Sequence, residues 1–425
     1  MDMLIGYGGV AAFFFLVIYV LEKSRRTLGT GSFSDYATGG RTFGSFYSTM
    51  AFVNTWLPGT IFISFAGFAA SAGIIGFYYV PYSLLAVVLM FLLARPVHLW
   101  GKAFDLRTQA DLLGLRYGSK AVRVVAAAIG IIASFPWIIL DMQSLTLVFT
   151  HLSFGAIGSG TAVFVGIALI VVRQVWTVRF GARGVIISDM LQGIAAYLIG
   201  TLIALGLLVW LVSNGHGLET SNHNLFTLPG PGSELGPLYL FSLIVTGALG
   251  GWCWPDIFVR LFASRSTQTI QRSAIQAAPI LLVFGTSFTL MVLCASSLPG
   301  VQQAPDSVWF IASGIGGVVL VTLAGICVVA ATMGNVGANL QALGAQTAND
   351  IVGVIQARRV EDRRVGQIAV AVLTILAAAF AVVTTQSGHL IALAMIPIRG
   401  LFSWHPPCFL GSSGNAEQHR QRCAQ

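Results

Sequence analysis

The chain has 425 residues, 56% of them apolar and only 9% charged, with a formal net charge of +8. A water-facing domain carries about 25% charged residues, so this composition excludes a soluble globular protein and predicts a chain built for lipid. The cysteines (Cys253, Cys294, Cys327, Cys408 and Cys423) have no paired spacing, which argues against both a disulfide framework and a zinc site.

A bilayer core of roughly 30 Å takes about 20 apolar residues in a helix. Ten stretches qualify: 3–21, 46–71, 75–97, 121–149, 156–175, 184–212, 236–261, 274–298, 308–343 and 364–387. The first opens with Asp2, and its basic residues (Lys23, Arg25, Arg26) follow it. A cleaved leader has the opposite arrangement, so this segment reads as a retained helix with its N-terminus outside. Basic residues then cluster after the first, third, fifth, seventh and ninth segments. These clusters hold twenty of the 23 Lys and Arg residues, and the alternate loops hold none. Lys and Arg mark the cytoplasmic side, so the alternation supports the segment count and makes the basic balance a topology signal. It implies no nucleic-acid partner. The expected partner at this point is the bilayer, with no obligate protein partner, and the expected location is a bacterial inner membrane.

The second segment is interrupted by Asn54-Thr55-Trp56-Leu57-Pro58-Gly59-Thr60. Pro58 lacks a backbone donor and clashes with the preceding turn. The seventh carries Gly247, Gly250 and Gly251, with Pro255 nearer its inner end. The two are five segments apart, so they enter the membrane from opposite sides. Interruptions at matching positions of two inverted halves mark a transporter's binding site. Freed carbonyls and half-helix ends there hold ions and substrate. The expected fold is all-α, a polytopic membrane protein of ten to eleven helices. Residues 1–45 form an N-terminal helix and loop, 46–212 a first repeat and 236–410 a second.

An eleventh, weak segment begins near Ala392 and runs into Arg399, His405, Pro406 and Pro407; 411–425 reads as a disordered polar tail. The loss of apolar pattern after Leu401-Phe402 suggests a truncation or shifted frame that leaves the last helix incomplete.

Polar residues inside the apolar segments are the site candidates. Thr55 and Thr60 beside the first interruption, Gln143 in the fourth segment, and Trp252 and Trp254 beside the second interruption are candidate substrate contacts. Asp141 lies about 15 Å from the outer end of its helix. An acid at that depth faces a cavity or a partner, so it is either a proton or substrate site or a structural acid. Asp256 and Arg260 stand four apart, as a helical ion pair does. The histidines show no ligand spacing, 114–120 lacks the spacing of a phosphate loop, and no nucleophile–base pair is legible. Neither an enzyme nor a cofactor is expected.

Six motifs then occur in the order found in one family. Asp35-Tyr36 with Gly39-Gly40-Arg41; Phe62-Ile63 with Ala66-Gly67 and Gly73; Thr108 and Asp111 with Arg116-Tyr117-Gly118-Ser119; Gly184 with Ser188-Asp189 and Gln192; Pro255 with Arg260; and Ala330-Ala331-Thr332-Met333 through Asn349-Asp350-Ile351 together resemble the sodium:solute symporters. The resemblance implies an inverted five-helix repeat of the leucine-transporter type and cation-coupled, specifically sodium-coupled, symport of a small organic solute. It places sodium between the second and ninth segments, on carbonyls around Asn54, Leu57 and Ala331. The two adjacent hydroxyl ligands of the family fall on Gly334 and Asn335, and Gly334 has no side-chain oxygen. It gives Asp189 a role in releasing the cation. A depleted sodium site keeps proton coupling, cation-independent transport and a non-transporting sensor as alternatives. The absence of a signalling domain counts against a sensor, and the paired interruptions count against a channel.

Overall fold

The computed structural model describes residues 1–24, 31–218, 223–228 and 236–384. The eleventh segment expected from Ala392 and the expected polar tail lie outside these residues. The described residues form helices and no strand. The elements that matter below are α1 (Asp2–Lys23), α2 (Ser45–Trp56), α3 (Ser64–Ala72), α4 (Tyr79–Ala103), α5 (Lys120–Leu152), α6 (Ser159–Gly193), α7 (Gly200–Ser213), α8 (Pro237–Gly251), the short α9 (Pro255–Phe258) and α10 (Arg260–Ala263), α11 (Thr267–Ala295), α12 (Gly317–Gln346) and α13 (Arg363–Val383). Among them, seven stretches are long and apolar enough to cross a membrane, or eight if α8 and the bent α9–α10 count as one. The protein is therefore a multi-pass integral membrane protein.

Local chemistry sets the helix starts. Ser119, Ser266 and Asp362 precede α5, α11 and α13, and each side chain accepts a backbone N–H from the first turn. Such capping satisfies donors that the helix itself leaves unpaired. Among the described residues, large apolar side chains such as Phe15, Leu202, Leu238 and Ile375 are exposed on the outside, as lipid-facing residues are. Inside, Phe62, Tyr197, Phe284, Phe288 and Trp309 form one aromatic cluster around the start of the second half of the broken helix.

The expected loop between the fifth and sixth segments is not there. The chain stays helical from Ser159 to Ser213, apart from Gly181, whose backbone (φ 60, ψ −150) leaves the helix. Tyr36 packs so closely there that a side chain on residue 181 would overlap its carbonyl region. One glycine makes the bend that a loop was expected to make. Two short helices, Phe33–Thr38 and Gln109–Tyr117, also lie in regions read as loops.

The basic end of the bundle is tied by ion pairs between motifs far apart in sequence. Arg123 reaches Asp111 at 3.2 Å and the buried Asp350 at 2.7 Å, and the Thr108 hydroxyl donates to the other Asp350 oxygen. Arg41 donates to the Leu106 carbonyl at 2.6 Å and contacts Asp105 at 3.3 Å. Three basic residues counted in the clusters at the segment ends, Arg107, Arg173 and Arg260, are buried. Each has internal acceptors, which is the condition under which a guanidinium leaves water.

Candidate functional site

Both expected interruptions exist. α2 stops at Trp56; Leu57 and Pro58 are extended, a single tight turn covers Gly59–Phe62, and α3 begins at Ser64. α8 stops at Gly251, Trp254 is extended, Pro255 opens α9, and the axis turns by 56°. The second break lies at Trp252–Trp254, just past the glycines rather than on them. The two breaks touch: a side chain on Gly251 would overlap the Trp56 ring. Phe52 stacks between Trp56 and Trp252, with ring centroids 5.7 Å from each.

Between the breaks lies a cavity of about 150 Å³. Thr55, Trp56 and Pro58 line it from the first broken helix, and Gly251, Trp254 and Asp256 from the second; Trp137, Tyr78 and Tyr82 add aromatic wall, and Asn335 and Asn339 add polar wall. Of the five candidate substrate residues, Thr55 and Trp254 reach this cavity. Trp252 is buried behind it and donates its indole N–H to the Ala86 carbonyl at 2.9 Å. Gln143 points the other way and donates to Ala381 and Thr384 beside α13, at 3.2 and 3.1 Å. Thr60 lies beneath the break, where its backbone N–H donates to Asp141 Oδ1 at 3.1 Å. Asp141 is fully buried, with no ion pair among the described residues, and its Oδ2 has no hydrogen-bond partner.

The candidate cation ligands are close together, but internal donors serve most of them. The Leu57 carbonyl accepts the Tyr197 hydroxyl. The Thr55 carbonyl only accepts, so the Asn335 amide nitrogen faces it at 2.8 Å, and Asn335 Oδ1 takes the Asn339 amide at 3.0 Å. A side chain on Gly334 would overlap the Asn54 amide nitrogen, so the carboxamide of Asn54 fills the space that a hydroxyl at position 334 would need. Ala331 is buried one turn earlier on α12. Asn54 itself donates to Asp189 Oδ1 at 3.1 Å and leaves its own Oδ1 without a partner.

Asp189 shows why the expected Asp256–Arg260 pair does not form. α9 and α10 are separate short helices meeting at Val259. Arg260 contacts Asp189 Oδ2 at 3.1 Å and the Thr55 hydroxyl at 2.8 Å, and Asp256 feels its charge without a direct contact. The carboxylate contact is an ion pair without hydrogen-bond alignment. Arg173 lies nearby, held by the Thr177 hydroxyl and by Ser188 at 2.7 Å, against the bare backbone of Gly337. Sequence reasoning missed Tyr197, Asn339 and the burial of Arg173. Arg173 carried a signal, being an arginine inside an apolar run; Tyr197 carried none.

The sodium:solute symporter family matches this chain over residues 36–410. The chain belongs to that family. Its relatives include an uncharacterised symporter, YhjB, of Bacillus subtilis, 24% identical over 64% of this chain and 54% of the relative. A monocarboxylate transport permease protein of Rhizobium johnstonii is 26% identical over 65% of this chain and 56% of the relative. The chain thus spans about half the length of these two relatives. Among solved structures, a Na+-coupled sialic acid symporter in a substrate-bound outward-open state shares the fold, with a TM-score of 0.73 and 15% identity over 94% of this chain and 85% of that one. A nucleobase-cation-symport-1 family transporter matches with a TM-score of 0.52 at 15% identity, over 87% of this chain and 80% of that one.

Proposed function

We propose that the chain is a secondary transporter, not an enzyme, that carries a small organic solute together with a cation by alternating access. The observation that carries this reading is the cavity between two broken helices that touch at Gly251 and Trp56. Half-helix ends and freed backbone groups around a central cavity are what such a carrier uses to bind and release its load. The reading takes the chain as ten crossings: the helical stretch Ser159–Ser213 bends at Gly181, and the breaks fall in inverted halves, 46–212 and 236–410. The N-terminus lies opposite the basic loops, hence outside in a bacterial inner membrane.

The substrate class we favour is a small carboxylate or amino acid. The cavity of about 150 Å³ is small beside ordinary ligand sites of roughly 300–1,000 Å³, so it suits a compact solute. The Thr55 hydroxyl in its wall is bound by the Arg260 guanidinium, which aligns the hydroxyl toward an anionic guest. A Rhizobium relative described as a monocarboxylate permease agrees with this choice.

The test is uptake into proteoliposomes of a panel of short monocarboxylates and amino acids, in counterflow so that no ion gradient is needed. Saturable exchange of at least one of them, lost in Trp254→Ala, is expected. Flux that rises linearly with concentration for every solute would point to a channel and end the carrier reading. No flux at all would end the transport reading.

A further inference from the structure

Most of the positions that the family resemblance assigns to sodium are already served by this chain's own donors: Tyr197 on the Leu57 carbonyl, the Asn54 amide in the space beside Gly334, and Asn339 on the Asn335 oxygen. The charges there also disfavour a cation. Asp189 is paired with Arg260, and Arg173 adds a second buried guanidinium in the same cluster. One carboxylate faces two fixed positive charges.

A short distance along the break the balance reverses. Asp141 is fully buried and makes no ion pair among the described residues. A buried carboxylate without a counter-charge is expensive unless something neutralises it. Its acidic neighbour is Asp256, and the other titratable group facing it is the Tyr197 phenol. Two buried side-chain oxygens there, Asp141 Oδ2 and Thr332 Oγ1, have no hydrogen-bond partner, and the Thr60 hydroxyl, beside the Asp141 carboxyl, accepts from no donor. They converge on one point of the chain. Thr60 hands its backbone N–H to Asp141, and Thr332 packs so tightly on Gly59 that any side chain there would overlap its hydroxyl. Oxygens left without donors, around an uncompensated carboxylate, are what a hard monovalent cation requires.

We propose that the sodium site of this chain lies at Asp141, Thr60 and Thr332, displaced from the place beside Gly334 and Asn335. The proposal rests on the cation-coupled reading above and specifies where the cation sits. Asp141 supplies the charge, and the hydroxyls of Thr60 and Thr332 supply neutral oxygens from the broken helix and α12. A bound cation then joins α5, α12 and the break, so it can pass its occupancy to the solute cavity, which Trp137, one turn from Asp141, also lines.

The experiment is sodium alone, titrated into the purified full chain in detergent. Thermal midpoint and tryptophan fluorescence are recorded against choline chloride at matched ionic strength. A saturable, sodium-specific response is expected. It should be lost in Asp141→Asn and weakened about tenfold, one hydrogen-bond-sized contact, in Thr332→Val, a change that keeps shape and fold. A sodium response intact in Asp141→Asn but lost in Asn335→Ala overturns the proposal in favour of the resemblance-derived site. Identical sodium and choline traces overturn it as well. If pH alone then moves the signal, and Asp141→Asn abolishes that, the carboxyl takes a proton instead. Counterflow exchange needs no gradient, so the transport reading stands or falls on a separate measurement.

Discussion

Removing the Arg260 guanidinium is the sharpest probe of the charge cluster. In Arg260→Gln, the fully buried Asp189 loses a cation 3.1 Å away. Truncating one partner of a buried pair typically costs about 3–5 kcal/mol, because a charge is left behind without compensation. Here the lower end applies. The contact lacks hydrogen-bond alignment, Asn54 still donates at 3.1 Å, and the Arg173 charge remains nearby. A cost of about 3 kcal/mol corresponds to a fall in the unfolding midpoint of several degrees. Arg260→Gln with Asp189→Asn removes both charges and should recover most of the loss, leaving about 1 kcal/mol. The assay is the thermal midpoint of each variant in one detergent at one scan rate, since unfolding of such a protein is under kinetic control. A single Arg260→Gln variant as stable as the unaltered chain would refute the ion-pair argument. So would a double variant no better than the single one.

Other substitutions test separate parts of the structure. Gly59→Ala should cost about 1–3 kcal/mol by overpacking, because the new methyl group meets Thr332; adding Thr332→Ala should return part of the lost yield of monodisperse protein, and failure to do so would place the strain elsewhere. Asp105 stands outside the spans. Partial burial acts to raise its pKa, but the Ser34 hydroxyl and the Arg107, Arg359 and Arg41 guanidiniums outweigh that and hold its carboxyl below the usual range. A depressed pKa stabilises the fold above the unfolded value of about 4 and is lost as pH falls through the folded value. Asp105→Asn should therefore lower the stability at pH 7 by about 1 kcal/mol or less, given the side chain's partial exposure, with the gap closing below about pH 4. Asn tolerates the left-handed backbone at this position, so a gap that persists at low pH would mean packing rather than charge. Asn339→Ala frees Asn335 Oδ1 and should weaken solute exchange roughly tenfold, read as a higher half-saturation concentration; unchanged exchange would remove α12 from the solute site.

The fold was legible because lipid imposes simple rules. Apolar length marks the helices and basic residues mark one side, so the segments, both interruptions and the family motifs could be read in order. What could not be read was how one residue can replace several. Gly181 turns the chain without a loop, and its flanks stay apolar and helical, so periodicity shows two helix ends where the structure has a kink. The seventh segment broke just past its glycines, because Trp254 before Pro255 is steered to extended backbone, while Gly247 and Gly251 serve close packing against Tyr82 and Trp56.

The site was legible as residue types and not as pairings. Asn54, Thr55, Trp254, Asp141 and Asp189 stood out because polar groups are rare in apolar segments. Which of them is satisfied depends on partners 130 to 280 positions away, such as Asp189 for Asn54 and Asn335 for Thr55. Sequence spacing favoured Asp256 with Arg260; the break between α9 and α10 gave Arg260 to Asp189 instead. That single exchange decides the electrostatics. It neutralises the acid beside the resemblance-derived cation place and leaves Asp141 and Asp256 as buried acids without a guanidinium ion pair among the described residues. Restoring the local pairing should therefore move the charge. In Asp189→Asn, Arg260 is released to turn to Asp256, and the Asp141 neighbourhood becomes less negative. If the displaced site is correct, sodium should bind more weakly in this variant although Asp189 touches none of its ligands, by about tenfold for each 1.4 kcal/mol of lost attraction. Unchanged or tighter sodium binding in Asp189→Asn would show that the two acids act independently.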